Sequence, residues 1–137
     1  MIEALTPKQK AVYELLITDM SFSDIKDELC MTNCGFNYHR RRLYEIFDCN
    51  SRTGLIVDHV ETNFNYVELP FVARLNELQK AVYSLSIKGF TVDEVVDILK
   101  VSRSQSALAR RRVLAAAKCR SVVDLIFKSY GVQHAKQ

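Results

Sequence analysis

The chain has 137 residues, of which 48% are apolar and 26% charged, with only 2 prolines and 4 glycines. This composition excludes a disordered, collagen-like or low-complexity polymer, and the length suits one ordinary domain or two small ones. The sequence has no apolar stretch near the ~20 residues that cross a bilayer, and its start lacks the pattern of a signal peptide. Its four cysteines do not have the spacing of a secreted disulfide framework. We therefore expect a cytoplasmic protein with reduced thiols and no membrane partner.

The formal net charge of +3 is unevenly distributed along the chain. Residues 1–60 carry 7 Lys or Arg against 9 Asp or Glu, whereas residues 75–137 carry 11 against 5 and thus a net charge of +6. From residue 100 onward there are 9 basic residues and a single acidic one, Asp124. Such a positive field attracts a polyanion. The first half of the chain has no comparable field.

The chain contains an internal repeat. The first repeat, Leu5 to Val60, recurs without a gap 70 residues later as the second repeat, Leu75 to Tyr130, and 17 of the 56 aligned positions are identical. The identities include the stretch Gln-Lys-Ala-Val-Tyr near the start of each repeat and an Arg-Arg-Arg triplet beyond its middle. A repeat of this size indicates two copies of one structural unit.

Helix-start signals occur at four equivalent positions in each repeat. Each is a Ser, Thr or Asn that can cap a helix N-terminus, followed in most cases three residues later by Glu, Gln or Asp. Apolar residues at helical spacing follow each signal. The sequence thus predicts an all-α protein with four helices in each repeat. The capping positions are Thr6, Ser21, Thr32 and Ser51 in the first repeat and Asn76, Thr91, Ser102 and Ser121 in the second.

The residues between the repeats have a different pattern. Apolar and polar residues alternate loosely from Phe64 to Leu69, and Pro70 follows. This pattern favours an extended linker or a short edge strand over a helix. We therefore predict a first domain at residues 1–62, a short extended linker at residues 63–74 and a second domain at residues 75–137.

The second and third predicted helices of the first repeat are separated by only three residues, Cys30 to Thr32, which is the length of the turn in a helix-turn-helix motif. One stripe of the third helix is apolar and inward-facing, so its opposite face presents Asn37, Tyr38 and Arg41. Such a face suits the major groove of DNA, where Asn can pair with adenine and Arg with guanine. The third helix is therefore a candidate recognition helix.

The residues of the first repeat carry a family resemblance. The repeat begins with Leu-Thr-Pro-Lys-Gln-Lys-Ala-Val, continues with His-Arg-Arg-Arg-Leu-Tyr from residue 39 and has Asn-Ser-Arg-Thr-Gly-Leu from residue 50. Over nearly its whole length it resembles the DNA-binding domain of LuxR/GerE-type transcriptional regulators. The second repeat resembles that domain less closely and is also similar to the promoter-binding fourth region of sigma factors.

The resemblance implies a four-helix unit whose third helix enters the major groove and whose fourth helix often mediates dimerisation. Double-stranded DNA is then the implied partner, a homodimer through the fourth helix the implied assembly, and the nucleoid the implied location. Transferred position by position, the base-facing residues of the first repeat are Asn37, Tyr38 and Arg41, the same face that helical spacing selects.

The arginine triplet recurs on the third helix of both repeats. Neutralising phosphates requires cations at fixed positions, so this recurrence favours DNA contact over a merely solvated helix face. For Arg40 and Arg110, a structural ion pair is an alternative role. The predicted DNA-contacting residues are Asn37, Tyr38, Arg40, Arg41, Arg42, Arg52, Arg103, Gln105, Ala107, Leu108, Arg110, Arg111 and Arg112.

Other chemistry has little support in the sequence. The spacing of Cys30, Cys34, Cys49 and His39 fits no compact zinc-binding knuckle, so we expect no metal. His39 lies on the inner stripe of the third helix, which favours a semi-buried, hydrogen-bonded histidine over a catalytic one. The sequence has no glycine-rich phosphate loop and no paired carboxylates on one helix face, so we expect neither enzyme activity nor a cofactor.

The sequence therefore predicts a sequence-specific DNA-binding transcriptional regulator. A second hypothesis keeps the fold but makes the chain a protein-binding module that docks on RNA polymerase or on another transcription regulator. Ala107 and Leu108, which stand in the second repeat where Asn37 and Tyr38 stand in the first, keep this hypothesis open. An apolar patch there fits either thymine methyl groups or a groove on a protein.

Overall fold

The computed structural model of the chain describes residues 4–132, and these residues form an all-helical structure, as predicted. They contain eight α-helices, a 3-10 helix and no β-strand. None of the helices in this part of the chain has the length and apolar character needed to cross a membrane. The α-helices are α1 Pro7–Leu16, α2 Phe22–Leu29, α3 Asn33–Ile46, α4 Arg52–Asn63, α5 Glu77–Ser86, α6 Val92–Leu99, α7 Arg103–Ala117 and α8 Val122–Ser129, and the 3-10 helix is Pro70–Arg74.

The chain divides into two compact units, a first unit of residues 1–59 and a second unit of residues 60–137. The first unit contains α1, α2, α3 and most of α4, and the second contains the 3-10 helix and α5 to α8. Each of α5 to α8 begins 70 residues after its counterpart among α1 to α4. The helical pattern therefore repeats together with the sequence.

Two unusual backbone positions repeat as well. Cys30 and Lys100, which end α2 and α6, have positive φ angles of 54° and 59°. Asp48 and Lys118, which follow α3 and α7, have φ angles of 54° and 60°. This left-handed region favours glycine and costs other residues about 1 kcal/mol. The residue at the first of these positions is Cys in one repeat and Lys in the other, and at the second it is Asp or Lys, so the shared conformation does not depend on one residue type.

The helix starts form as the capping signals predict. At each one, the capping side chain accepts a hydrogen bond from the backbone amide three residues later, which satisfies one of the free donors of the first turn. The Thr32 hydroxyl, for example, accepts from the Gly35 amide at 3.1 Å. The same bond is made by Thr6, Ser21, Ser51, Asn76, Thr91, Ser102 and Ser121.

The core of the first unit lies where α1 packs on α2 and α3. Its members are the apolar residues that fall at helical spacing along the sequence, and burial of each such side chain stabilises the fold by about 1.5–3 kcal/mol. Tyr13 of α1 adds a ring stacked on Phe47, with centroids 5.0 Å apart. The buried core consists of Val12, Tyr13, Leu16, Ile25, Phe36, Leu43, Tyr44 and Leu55.

The second unit has a corresponding core where α5 packs on α6 and α7, and it includes Val82, Val95 and Ala109. The segment between the repeats also packs within this unit. The Val67 amide donates to the Ser129 carbonyl at 2.7 Å, and the buried Phe71 ring lies edge-on to Tyr83.

The predicted linker thus differs from the structure in its second half. Residues 65–69 have no regular secondary structure, but Pro70–Arg74 form a 3-10 helix. Phe71 of this 3-10 helix is buried against Tyr83, which lies 12 residues later in the sequence. A local sequence pattern does not reveal such a contact, so the 3-10 helix was not predicted.

Candidate nucleic-acid interface

A turn of three residues joins α2 to α3. Cys30 ends α2, and the Met31 amide donates to the Lys26 carbonyl at 2.9 Å. Thr32 then caps α3. The equivalent residues from Lys100 to Ser102 join α6 to α7 in the second unit. In both units the third helix begins directly after a tight, hydrogen-bonded turn, which fixes its direction relative to the second helix.

The outer face of α3 carries hydrogen-bonding side chains. The Tyr38 side chain is exposed (57%), as its spacing predicted, and Arg41 is also exposed. Asn37, the third predicted base-facing residue, is half-buried and thus less exposed than the other two. The Arg41 Nε donates to the Asn37 carbonyl at 3.4 Å, which draws the guanidinium back along the helix. The structure therefore brings these three residues together on one turn of the helix.

Arg40 points away from this face. Its guanidinium carbon lies 5.0 Å from the ring centre of Phe22, 5.8 Å from that of Phe36 and 5.7 Å from that of Tyr44. Cation–π attraction holds the group among these rings. Its Nη2 donates to the Asn37 Oδ1 at 3.0 Å, and its Nε is buried without a hydrogen-bond partner in the described part of the chain. Arg40 is therefore a structural residue, although its partner is an amide and some rings rather than the acidic residue of an ion pair.

Arg52 also has a role within the first unit. Its Nε donates to the Leu16 carbonyl at 2.8 Å, and its Nη2 donates to the carbonyls of Leu15 and Thr18 at 3.3 and 2.6 Å. Burial lowers the pKa of this guanidinium from its ordinary value. With its donors engaged by the C-terminal end of α1, Arg52 is unsuited to the DNA contact predicted for it.

Phe22 is a residue that sequence reasoning overlooked. Its exposed ring, at the first position of α2, lies between the guanidinium groups of Arg40 and Arg52, 5.0 and 5.4 Å from its centre. It also meets Phe36 edge-on. The available signal was an aromatic residue at the first position of a predicted helix, in the repeat that also contains Arg40 and Arg52.

The outer face of α7 is apolar at its centre and cationic beside it. Leu108 is 46% exposed, and Ala107, Arg111 and Arg112 are exposed too. Arg110, the counterpart of Arg40, is half-buried. The exposed arginine pair thus recurs at the same register as Arg41 and Arg42 on α3, while the residues before it have changed from hydrogen-bonding to apolar.

Arg42 pairs with Glu45 one turn along α3, at 2.7 Å, and both side chains are well exposed. Arg103, at the start of α7, forms an exposed ion pair with Asp93 of α6. Exposed pairs of this kind contribute little stability, about 0–1 kcal/mol, so either arginine can exchange its partner for a phosphate at small cost.

Gln105 belongs to the cap of α7, because its Oε1 accepts from the Ser102 amide at 2.9 Å. This bond leaves the amide nitrogen of Gln105 for another ligand.

A groove of about 270 Å³ opens beside Leu108 in the second unit. Its lining includes the apolar residues Leu78 of α5 and Leu108 and Ala109 of α7, together with the polar residues Asn76, Gln79, Gln105 and Arg112. Lys8 and Tyr38 occupy the positions equivalent to Leu78 and Leu108 in the first repeat. The groove's apolar character is therefore specific to the second unit, and Leu78 is a second residue that the sequence prediction did not include.

His39 and the four cysteines lie in different surroundings in the described part of the chain. His39 is half-buried as predicted, but its Nδ1 is buried without a hydrogen-bond partner among the described residues. Burial raises the pKa of the Cys49 and Cys119 thiols, while Cys30 and Cys34 are exposed. Within residues 4–132, no group of three His, Cys, Asp or Glu side chains could hold a metal ion.

No protein-family model, curated protein or solved structure matches this chain. The surface itself must therefore indicate its ligand. Two exposed cations beside donors and acceptors on a helix can bind a phosphate backbone and contact base edges.

Proposed function

We propose that the chain is a sequence-specific DNA-binding transcriptional regulator, made of two tandem helix-turn-helix domains of the LuxR/GerE type. In this proposal α3 and α7 enter the major groove. The observation that carries it is the recurrence of one exposed arginine pair at the same register of both third helices, Arg41 with Arg42 and Arg111 with Arg112. The nucleoid is then its place in the cell.

The chemistry of the two faces supports this proposal. Lysine and arginine neutralise phosphates and release bound counterions, which supplies most of the affinity in protein–DNA complexes. Base edges are distinguished by amide, hydroxyl and guanidinium groups, and Asn37, Tyr38 and Arg41 supply all three. The net charge of +6 on residues 75–137 adds attraction for a polyanion.

A second candidate function has its own supporting observation. The groove of the second unit, with exposed Leu108 and with Leu78 in its lining, resembles the apolar centre of a protein interface more than it resembles a phosphate site. In that case the second unit docks on RNA polymerase or another regulator while the first unit binds DNA. Leu108→Ala should then weaken the protein complex and leave DNA affinity unchanged.

Selection of bound sequences from a random double-stranded DNA pool, using the full chain, tests the main proposal. We expect a reproducible motif, bound at least ~1000-fold more tightly than random sequence, which is the usual margin for specific sites. Enrichment of no motif would contradict sequence-specific binding.

A charge-matched pair of variants separates the proposed surface from general positive charge. Arg111→Gln with Arg112→Gln removes two exposed cations from α7, and Lys80→Gln with Lys88→Gln removes two exposed cations from elsewhere in the same unit. The arginine variant should lose affinity for all DNA sequences, by about tenfold or more, whereas the lysine variant should lose little. Equal losses would show that α7 is not the binding face.

A further inference from the structure

Arg40 and Asn37 form a hydrogen bond on α3 that bears on which base the first unit selects. The Arg40 Nη2 lies 3.0 Å from the Asn37 Oδ1. Neither side chain has another hydrogen-bond partner for its terminal group in the described part of the chain. The amide of Asn37 therefore has one engaged end and one free end.

The chemistry of arginine fixes which end is free. A guanidinium group has only donors, so the amide atom that it contacts must be the oxygen. The Asn37 Nδ2, with its two hydrogens, is then the end available to a ligand. This assignment follows from the donor inventory of the two side chains and does not depend on distinguishing nitrogen from oxygen by position.

The surroundings of Arg40 hold this arrangement in place. Its guanidinium carbon is within 6 Å of three aromatic ring centres, those of Phe22, Phe36 and Tyr44. A group held among three rings with a buried Nε is not free to turn outward to a phosphate. Arg40 can therefore orient Asn37 in the bound state as well as in the free protein.

We propose that Arg40 is a positioning residue that makes Asn37 a hydrogen-bond donor, so that Asn37 selects guanine rather than adenine. Asparagine pairs with adenine by accepting from N6 and donating to N7, which needs both ends of its amide. Guanine presents two acceptors, N7 and O6, in the major groove, and a donor-only amide suits that edge. This inference rests on the proposed function, since it concerns the base contacted by α3.

The second repeat provides an internal comparison. Arg110 is the counterpart of Arg40, but Ala107 stands where Asn37 stands, so Arg110 has no amide to orient. A substitution of Arg110 therefore removes a cation equivalent to Arg40 but does not change the orientation of an amide side chain.

The test compares motifs selected from random DNA by the full-length wild type, Asn37→Ala, Arg40→Met and Arg110→Met. Loss of preference in Asn37→Ala identifies the base pair that Asn37 contacts. We expect guanine at that position for the wild type and a shift of at least about fivefold toward adenine for Arg40→Met, because the Asn37 oxygen is released. The other positions of the motif should keep their preferences. Arg110→Met, which removes a predicted DNA-contacting cation, should at most lower affinity for all sequences alike and shift no base preference.

Arg40→Met could also destabilise the first unit, since it removes a group packed among three rings. Asn37→Asp gives an independent result, because the carboxylate still accepts from Arg40 but presents an acceptor outward. We expect it to disfavour guanine at this position by about tenfold and to favour cytosine, whose N4 is a donor. Arg40→Lys restores a hydrogen-bond donor at this position. Its base preference should therefore lie closer to guanine than that of Arg40→Met.

The outcomes are distinguishable. Adenine at the Asn37 position of the wild type, or an unchanged motif in both Arg40→Met and Asn37→Asp, would overturn the inference while leaving DNA binding intact. Absence of any selected motif for the wild type would instead overturn the proposed function, and this inference with it.

Discussion

The Arg52 Nε lies 2.8 Å from the Leu16 carbonyl oxygen, across 36 residues of sequence. The same guanidinium reaches the Thr18 carbonyl at 2.6 Å. It therefore fastens the start of α4 to the C-terminal end of α1, where free carbonyls and the negative end of the helix dipole favour a cation. The second repeat has Val122 at this position, and a valine side chain cannot donate the equivalent hydrogen bonds.

Arg52→Met should lower the free energy of unfolding by about 2 kcal/mol, because several charge-assisted hydrogen bonds are lost from partly buried carbonyls. Denaturant unfolding measures this change. The DNA affinity of the folded variant should remain that of the wild type, since the Arg52 guanidinium is bound to carbonyls at the C-terminal end of α1. A variant with the stability of the wild type and weakened DNA binding would contradict this prediction and indicate that Arg52 contacts DNA.

The hydroxyl of Tyr83 gives a second stability prediction. It lies 2.7 Å from the buried Ser129 Oγ and 3.4 Å from the Tyr66 hydroxyl, and so ties α5 to α8 and to the segment that precedes the 3-10 helix. Tyr83→Phe should cost about 1–2 kcal/mol, because Ser129 is left buried without this partner. Tyr66→Phe is the control and should cost less, because the Tyr66 side chain is exposed and its hydroxyl lies at the longer distance from Tyr83. Equal losses in thermal unfolding would contradict this account.

These two residues show how far sequence reasoning reaches. Capping boxes and apolar stripes are local patterns, and they predicted the helix starts and the core of the first unit. The carbonyls that Arg52 contacts lie 34 to 37 residues away, and Tyr83 contacts Ser129, 46 residues away, and Tyr66, 17 residues away. No local pattern identifies these partners. The left-handed turn at Cys30 and Lys100 was equally hidden, because neither residue is the glycine that usually marks it. At the candidate site, spacing correctly placed Tyr38 outward but could not show that the Arg40 side chain turns toward Phe22.

The cysteines should differ in their reactivity. Burial raises the pKa of Cys49 and Cys119, so at a given pH fewer of these thiols are thiolates, the form that attacks alkylating reagents. Cys30 and Cys34 are exposed. In native protein at pH 8, iodoacetamide should therefore modify Cys30 and Cys34 first, as followed by mass spectrometry of tryptic peptides. Modification of Cys119 at the rate of Cys30 would show that the second unit opens readily.

We expect α3 to contribute base preference and α7 to contribute affinity for any DNA sequence. Asn37→Ala should relax the preference at one or two base pairs, each worth about 1 to 3 kcal/mol, because Asn37 is a candidate base contact. Substituting Arg111 and Arg112 with glutamine should instead weaken binding to the selected site and to random DNA by similar factors. Competition titrations with both DNAs make this comparison. A uniform loss from Asn37→Ala would remove it from the base-contacting residues.

The salt dependence of DNA binding by the full chain tests the central claim most directly. If Arg42 of α3 and the arginine pair of α7 contact phosphates, the logarithm of the binding constant should fall linearly with the logarithm of salt concentration. The slope should correspond to about four to eight phosphate contacts, and it should be smaller by about two contacts in the Arg111→Gln, Arg112→Gln variant. Binding that does not vary with salt, or no binding to any DNA at low salt, would contradict the proposal that this chain is a DNA-binding protein.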